Sequence, residues 1–108
     1  MTKKLLLFTL VLFLVALVPA LSVAQDGAAI FKSKCAMCHG PDGSGKTAMG
    51  EKLNIRDLLS AEVQKQTDAE LSQIVTKGKN KMPPYDGKLT KEQIDQLVAY
   101  VRDLGKKK

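Results

Sequence analysis

The sequence has 108 residues, of which 44% are hydrophobic and 26% charged, and its formal net charge is +6. A chain of this length holds one small domain, which excludes multidomain enzymes. The modest basic excess indicates acidic partners or anionic surfaces rather than nucleic acid in particular.

The N-terminal segment has the layout of a secretory signal peptide. Lys3 and Lys4 precede an apolar run over residues 5–18, and small residues at Ser22 and Ala24 favour cleavage before Gln25. We therefore expect a signal peptide at residues 1–24, a mature domain at residues 25–108, and a periplasmic location. The alternative is an uncleaved leader that anchors the protein, but the apolar run is shorter than the about 20 residues of a usual membrane span.

The mature domain would number 84 residues, with 15 basic and 11 acidic side chains and a net charge of +4, because the leader carries two lysines and no acid. A domain this small rarely buries enough apolar surface to be stable without a staple such as a cofactor. It opens with Asp26, a candidate N-cap for a short helix over residues 27–34 that buries Ile30 and Phe31 and runs into the next motif. Gly27 in this helix indicates a close approach by another helix.

The stretch Cys35-Ala36-Met37-Cys38-His39 follows directly and has the Cys-x-x-Cys-His spacing of covalent haem attachment. In a helical turn the two thiols share a face and can reach both vinyl groups of one porphyrin, and His39 can bind the iron. A thioredoxin-like pair would need a βαβ context, and a zinc site about four ligands. An ordinary disulfide would leave the histidine unexplained.

Residues 40–47 match the phosphate-binding pattern G-x-x-x-x-G-K-[ST]. That motif requires a preceding strand and a following helix in a large sheet, whereas here a helix precedes and an irregular segment follows. We interpret the glycines as turn residues and expect no nucleotide.

The middle of the chain contains two helix starts. Ser60 can cap a short helix, and Thr67 with Glu70 forms a capping box for a longer helix that stops at Gly78. The apolar side chains expected to face the core in this region are Leu53, Ile55, Leu58, Leu59, Leu71, Ile74 and Val75.

Residues 79–87 form a polar loop that carries Met82 before Pro83 and Pro84. The prolines would hold the thioether in a fixed direction, as an axial haem ligand requires. The alternative is a methionine that fills a gap in the core. Met37 and Met49 are poorer ligand candidates, because both lie close to His39 in sequence.

The last helix begins with the capping box of Thr90 and Gln93 and is expected to end at Gly105. Its apolar stripe consists of Ile94, Leu97, Val98, Val101 and Leu104. No segment shows a convincing strand pattern, so we predict an all-α fold in which three main helices and a fourth, short one wrap around one haem.

These stretches resemble the small monohaem class I cytochromes c that bacteria export. The resemblance covers essentially all of residues 25–108 and rests on residues 35–40, 81–85 and 97–101. It implies the class I cytochrome c fold and one covalent haem c, held by Cys35 and Cys38 with His39 and Met82 as axial ligands. In that family a glycine and an aromatic of the first helix cross a leucine and an aromatic of the last; Gly27 and Phe31, with Leu97 and Tyr100, match this pattern.

The resemblance implies a soluble, monomeric one-electron carrier in an exported respiratory or related redox chain, and not an enzyme. Its partners would be redox proteins with acidic docking surfaces, and it would meet a membrane only through partner complexes. Two other functions stay open from the sequence alone: an electron-entry subunit of a membrane oxidase or reductase, and a ligand-binding haem sensor or peroxidase. The lysines expected near the haem edge are Lys32, Lys34, Lys46, Lys77, Lys79 and Lys81.

Overall fold

The computed structural model describes the backbone of residues 19–107 and the side chains of residues 26–107. Residues 1–18 of the expected signal peptide lie outside this part. The helices are α1 (Pro19–Lys34), α2 (Ala36–His39), α3 (Ala48–Leu53), α4 (Ala61–Gln64), α5 (Asp68–Lys77) and α6 (Lys91–Lys106). Residues 19–107 contain isolated β-bridges but no strand. The all-α prediction is confirmed, with three long helices and three short ones rather than one.

Helix α1 begins well before the expected start. Its first residue is Pro19, which suits this position because a helix needs no N–H there. Neither glycine nor proline occurs from residue 20 to 25, so nothing in the sequence interrupts the helix. The prediction that Asp26 caps this helix is therefore wrong for the full chain: Asp26 lies inside it and accepts a long hydrogen bond from the Gln96 side chain, at 3.5 Å.

Helices α1 and α6 cross at Gly27, as the sequence predicted. A Cβ atom at this position would overlap the carbonyl oxygen of Gln96 and lie 3.1 Å from the Cβ atom of Tyr100. Phe31 and Tyr100 pack beside the crossing, with ring centroids 5.2 Å apart and a 54° angle between the rings. The expected contact between the first and last helices is thus confirmed.

The predicted N-cap residues of α4, α5 and α6 are confirmed. The capping box predicted for Thr67 and Glu70 is only half formed, because within the described residues the Glu70 side chain makes no hydrogen bond to the Thr67 N–H. The hydroxyls of Ser60, Thr67 and Thr90 each accept a hydrogen bond from the backbone N–H three residues later. The Thr90 N–H donates to the side-chain oxygen of Gln93 at 2.9 Å, which completes the capping box of α6. Helix α6 continues past Gly105 to Lys106, so its predicted end is one residue early.

Helix α3 was not predicted. Thr47 caps it by accepting a hydrogen bond from the Gly50 N–H at 2.8 Å. The helix signal at residues 47–53 is weak, because Gly50 stands where a capping box would have a Glu or Gln. Glycine is also a poor helix former. The Thr47 hydroxyl also donates to the Cys38 carbonyl at 2.8 Å, which ties α3 to α2.

The core is built mainly from α1 and α6. One cluster of buried side chains contains Phe31, Leu89, Ile94, Leu97 and Leu104, and a second contains Val63, Leu71 and Val98. The apolar stripe predicted for α6 is confirmed, with Val101 half-buried and the other four members buried.

Arg102 joins α6 to the segment between α4 and α5. Its guanidinium donates to the Gln64 carbonyl at 2.7 Å, to the Asp68 carboxylate at 2.9 Å and to the Gln66 carbonyl. Only 25% of its side chain is exposed, so these bonds are partly shielded from water. The clamp fixes Gln66, which lines the cavity described below.

Candidate haem site

A cavity of about 280 Å³ is lined by helices α1, α2, α5 and α6, by residues 53–66 and by the loop after α5. All four residues proposed from the sequence, Cys35, Cys38, His39 and Met82, line it. Its walls are otherwise mainly apolar and include Phe31, Leu53, Ile55, Leu58, Val63, Leu71, Ile74, Val75, Leu97, Val98 and Val101. Residues that are far apart in sequence therefore meet at one apolar cavity.

Helix α2 presents the attachment motif to the cavity. The N–H groups of Cys38 and His39 both donate to the Cys35 carbonyl, at 3.2 and 2.9 Å, so the motif forms one tight helical turn. Both thiols are free and half-buried. Burial raises the pKa of Cys35 from 9.0 to about 11, although the nearby Lys34 opposes this shift. The Cys35 thiol is therefore protonated at neutral pH in the protein without haem.

His39 is half-buried, and within residues 26–107 one of its ring nitrogens has no polar partner. Its Nδ1 atom is buried and has no hydrogen-bond partner among the described residues. Desolvation lowers the pKa of His39, which favours the neutral ring that metals bind. Its nearest aromatic neighbour is Phe31, with ring centroids 6.2 Å apart. A half-buried imidazole with a buried, unpartnered nitrogen beside an apolar cavity is the environment expected for a ligand of haem iron.

The three methionines of the domain differ in where their side chains lie. Met82 is half-buried and lines the cavity. Met37 is 79% exposed and Met49 is 40% exposed, and neither lines the cavity. The structure therefore separates the preferred ligand from the two poorer candidates.

Met82 belongs to a constrained segment, residues 78–87, which we call the methionine loop. The backbones of Lys79 and Met82 exchange two hydrogen bonds, at 3.1 and 2.9 Å. At the end of the loop, the N–H of Tyr85 donates to the Val75 carbonyl at 3.0 Å. A salt bridge of 3.3 Å between Lys77 and Asp86 spans the base. The loop is thus fastened to α5 next to the cavity.

The glycine-rich segment at residues 40–47 forms a turn that returns to the attachment motif. The Gly45 N–H donates to the His39 carbonyl at 2.7 Å, and the Gly43 N–H donates to the Gly40 carbonyl at 3.0 Å. All three glycines have φ between 76° and 83°, where a side chain would be strained. This segment follows helix α2 and not a strand, in agreement with the interpretation as a turn, but the irregular segment expected after it is wrong, because helix α3 begins at Ala48.

The charged side chains that line the cavity are all basic. They are Lys34, Arg56, Lys79 and Lys81, and no Asp or Glu of the described residues joins them. Sequence reasoning identified the three lysines but missed Arg56, Asn54 and Gln66, which also line the cavity.

Comparison with known proteins agrees with this geometry. The family model for the cbb3-type cytochrome c oxidase subunit III matches residues 22–101. The chain belongs to the class I cytochrome c family. Cytochrome c6 of Thermosynechococcus vestitus is 40% identical over 92 residues, which cover 83% of this chain and 80% of the relative. Cytochrome c6 of Synechococcus sp. is 37% identical over 110 aligned positions and 96% of both chains.

A solved structure also matches this cytochrome c. The KustC0563 c-type cytochrome superposes with a TM-score of 0.67 at 35% identity, covering 72% of this chain and 95% of that one. Membership of the family means that the chain carries one covalently bound haem c and serves as an electron carrier rather than as an enzyme. The residues fit the group: two thiols, an imidazole short of polar partners and a thioether share one apolar cavity.

Proposed function

We propose that residues 25–108 form a soluble one-electron carrier of an exported respiratory or related redox chain. Cys35 and Cys38 would hold the haem covalently, and His39 and Met82 would be the ligands of its iron. The observation that carries this proposal is that one cavity is lined by both thiols, the only histidine and just one of the three methionines of the domain.

When bound, the haem would supply an iron atom that can accept and release one electron. His39 and Met82 would both bind this iron, so that no exchangeable site would remain for a small ligand or substrate. A methionine ligand raises the reduction potential, and an apolar wall acts in the same direction by disfavouring the extra positive charge of ferric iron. These features favour electron transfer over the sensor and peroxidase alternatives.

The ligand assignment is tested by replacing Met82 with alanine in the haem-loaded protein. Met82→Ala should lower the midpoint potential and let cyanide or carbon monoxide bind more readily, because the sixth position becomes open. Met49→Leu is the matched control and should change neither property, because its exposed side chain does not line the cavity. The assignment is wrong if Met49→Leu lowers the midpoint potential and opens the iron to cyanide while Met82→Ala does neither.

The proposed partner surface lies at the mouth of the cavity. Of the lysines expected near the haem edge, Lys34, Lys79 and Lys81 line the cavity, and all three are exposed. Lys32, Lys46 and Lys77 are also exposed, although Lys77 pairs with Asp86. A basic rim of this kind would steer an acidic redox protein towards the haem edge, an effect that salt screens.

Charge reversal tests this surface. Lys79→Glu with Lys81→Glu should slow electron transfer to the physiological partner and flatten its dependence on ionic strength, while the midpoint potential barely moves. Lys88→Glu with Lys107→Glu makes the same change in net charge at exposed positions outside the cavity wall. This control should have a clearly smaller effect. Equal rates in all three proteins would show that docking does not use the rim.

The proposed location is the periplasm, reached through cleavage of residues 1–24. The support is the charged start, apolar run and small-residue site of the leader. No helix in residues 19–107 is long and apolar enough to cross a membrane. The mass of the secreted protein should match a monomer that begins at Gln25 and carries one haem, whereas a mass that includes the leader would contradict cleavage.

A further inference from the structure

One side-chain hydrogen bond joins the methionine loop to the haem-attachment segment. The Tyr85 hydroxyl donates to the Lys34 carbonyl at 3.2 Å, across 51 positions of sequence. Among the described residues this is the only hydrogen bond between the methionine loop and residues 34–40. The two proposed axial ligands, His39 and Met82, therefore lie on segments that a single polar contact connects directly.

The Lys34 carbonyl needs this donor. Lys34 is the last residue of α1, and the final carbonyls of a helix have no partner within it. The Cys38 N–H, which would bond to Lys34 in a continuing helix, donates to the Cys35 carbonyl instead. In the described part of the chain, Tyr85 is thus the donor that completes the end of α1, one residue before the first attachment cysteine.

Backbone hydrogen bonds and ring packing also hold Tyr85 in place. Its N–H donates to Val75 at 3.0 Å, and its carbonyl accepts from the N–H groups of Lys88 and Leu89 at 3.0 and 2.9 Å. The ring is half-buried, lines the cavity and packs against the core cluster of α1 and α6. By contrast, within the described part of the chain, residues 79–84 make only the two hydrogen bonds between Lys79 and Met82.

We infer that Tyr85 is a positioning residue that keeps Met82 on the iron. The inference rests on the proposed function, because it assumes that Met82 is the sixth ligand. The hydroxyl ties the end of the methionine loop to the segment that carries the haem and His39. Without this tie the loop keeps the packing of the Tyr85 ring, but its remaining hydrogen bonds to a long helix within the described residues all go to α5, so local opening that releases Met82 becomes more frequent.

The test uses the haem-loaded ferric protein and the variant Tyr85→Phe, which removes only the hydroxyl. The loss of one neutral hydrogen bond should raise the rate and affinity of cyanide binding about two- to tenfold. Tyr100→Phe is the matched control: Tyr100 packs on Phe31, and its hydroxyl makes no hydrogen bond within the described residues. This control should bind cyanide like the unmutated protein.

A second comparison separates positioning of Met82 from a general loosening of the fold. In the Met82→Ala background, Tyr85→Phe should no longer change cyanide binding, because the ligand that it positions is gone. The inference is overturned if Tyr85→Phe binds cyanide like the unmutated protein, if Tyr100→Phe accelerates binding equally, or if the effect of Tyr85→Phe persists without Met82. Failure of the proposed function looks different: the unmutated ferric protein would itself lack a sulfur-to-iron charge-transfer band.

Discussion

The close crossing of α1 and α6 can be tested with the single substitution Gly27→Ala. The added methyl group would overlap the Gln96 carbonyl oxygen and lie 2.9 Å from the carbonyl carbon. Its third neighbour is the Tyr100 Cβ atom at 3.1 Å. Two of these contacts are backbone atoms of a helix, so the neighbour cannot move aside by a rotamer change. The two helices must separate.

Two opposing effects determine how much Gly27→Ala changes the free energy of unfolding. Alanine is a better helix former than glycine by about 1 kcal/mol in a helix interior, which would stabilise the variant. Overpacking in a tight contact costs about 1–3 kcal/mol, and contacts with helix backbone place Gly27 at the upper end. The net loss in the free energy of unfolding is about 2 kcal/mol, which corresponds to roughly 10 °C in Tm for a domain of this size.

The assay is thermal and denaturant unfolding of the haem-loaded protein. Ala29→Gly serves as the control, because Ala29 is an exposed residue of the same helix and reports helix propensity alone. Gly27→Ala should lower Tm even though Ala29→Gly shows that alanine is preferred in this helix. A rise in Tm for Gly27→Ala would refute the close crossing, since propensity would then be the dominant effect.

Two further predictions concern the cofactor and the clamp on α6. Cys35→Ser with Cys38→Ser should prevent covalent haem attachment and leave residues 25–108 largely unfolded, because the apolar walls of the cavity lose their common core. Circular dichroism measures the loss of helix. A haem-free variant that folds cooperatively would contradict this prediction. Arg102→Met should lower the free energy of unfolding by about 2–3 kcal/mol, since three acceptors lose a charged donor, and Arg102→Lys should restore only part of it. Equal stability of all three proteins would show that the hydrogen bonds of Arg102 do not stabilise the fold.

The features that could be predicted from the sequence are local. Thr67 and Thr90 mark helix starts because a cap and its target lie three residues apart, and the attachment motif is a single helical turn. The prolines beside Met82 and the closeness of Met49 to His39 favour Met82 as the ligand, and of the three methionines in residues 25–108 only Met82 lines the cavity.

The features that could not be predicted depend on contacts between distant segments. The Tyr85 hydroxyl meets Lys34 across 51 positions, and Arg102 meets Gln64 across 38, and no periodic pattern marks either pair. Helix α3 was not predicted because Gly50 weakens the sequence signal for a helix start at Thr47. Asp26 was misassigned because a capping residue can equally well lie inside a longer helix.

The central claim is that both axial positions of the haem iron are filled, with His39 on one side and Met82 on the other. The most direct test is the absorption spectrum of the purified, unmutated ferric protein at neutral pH. A low-spin spectrum with a sulfur-to-iron charge-transfer band is the result that this account predicts. A high-spin spectrum without that band would show an open iron position and contradict it.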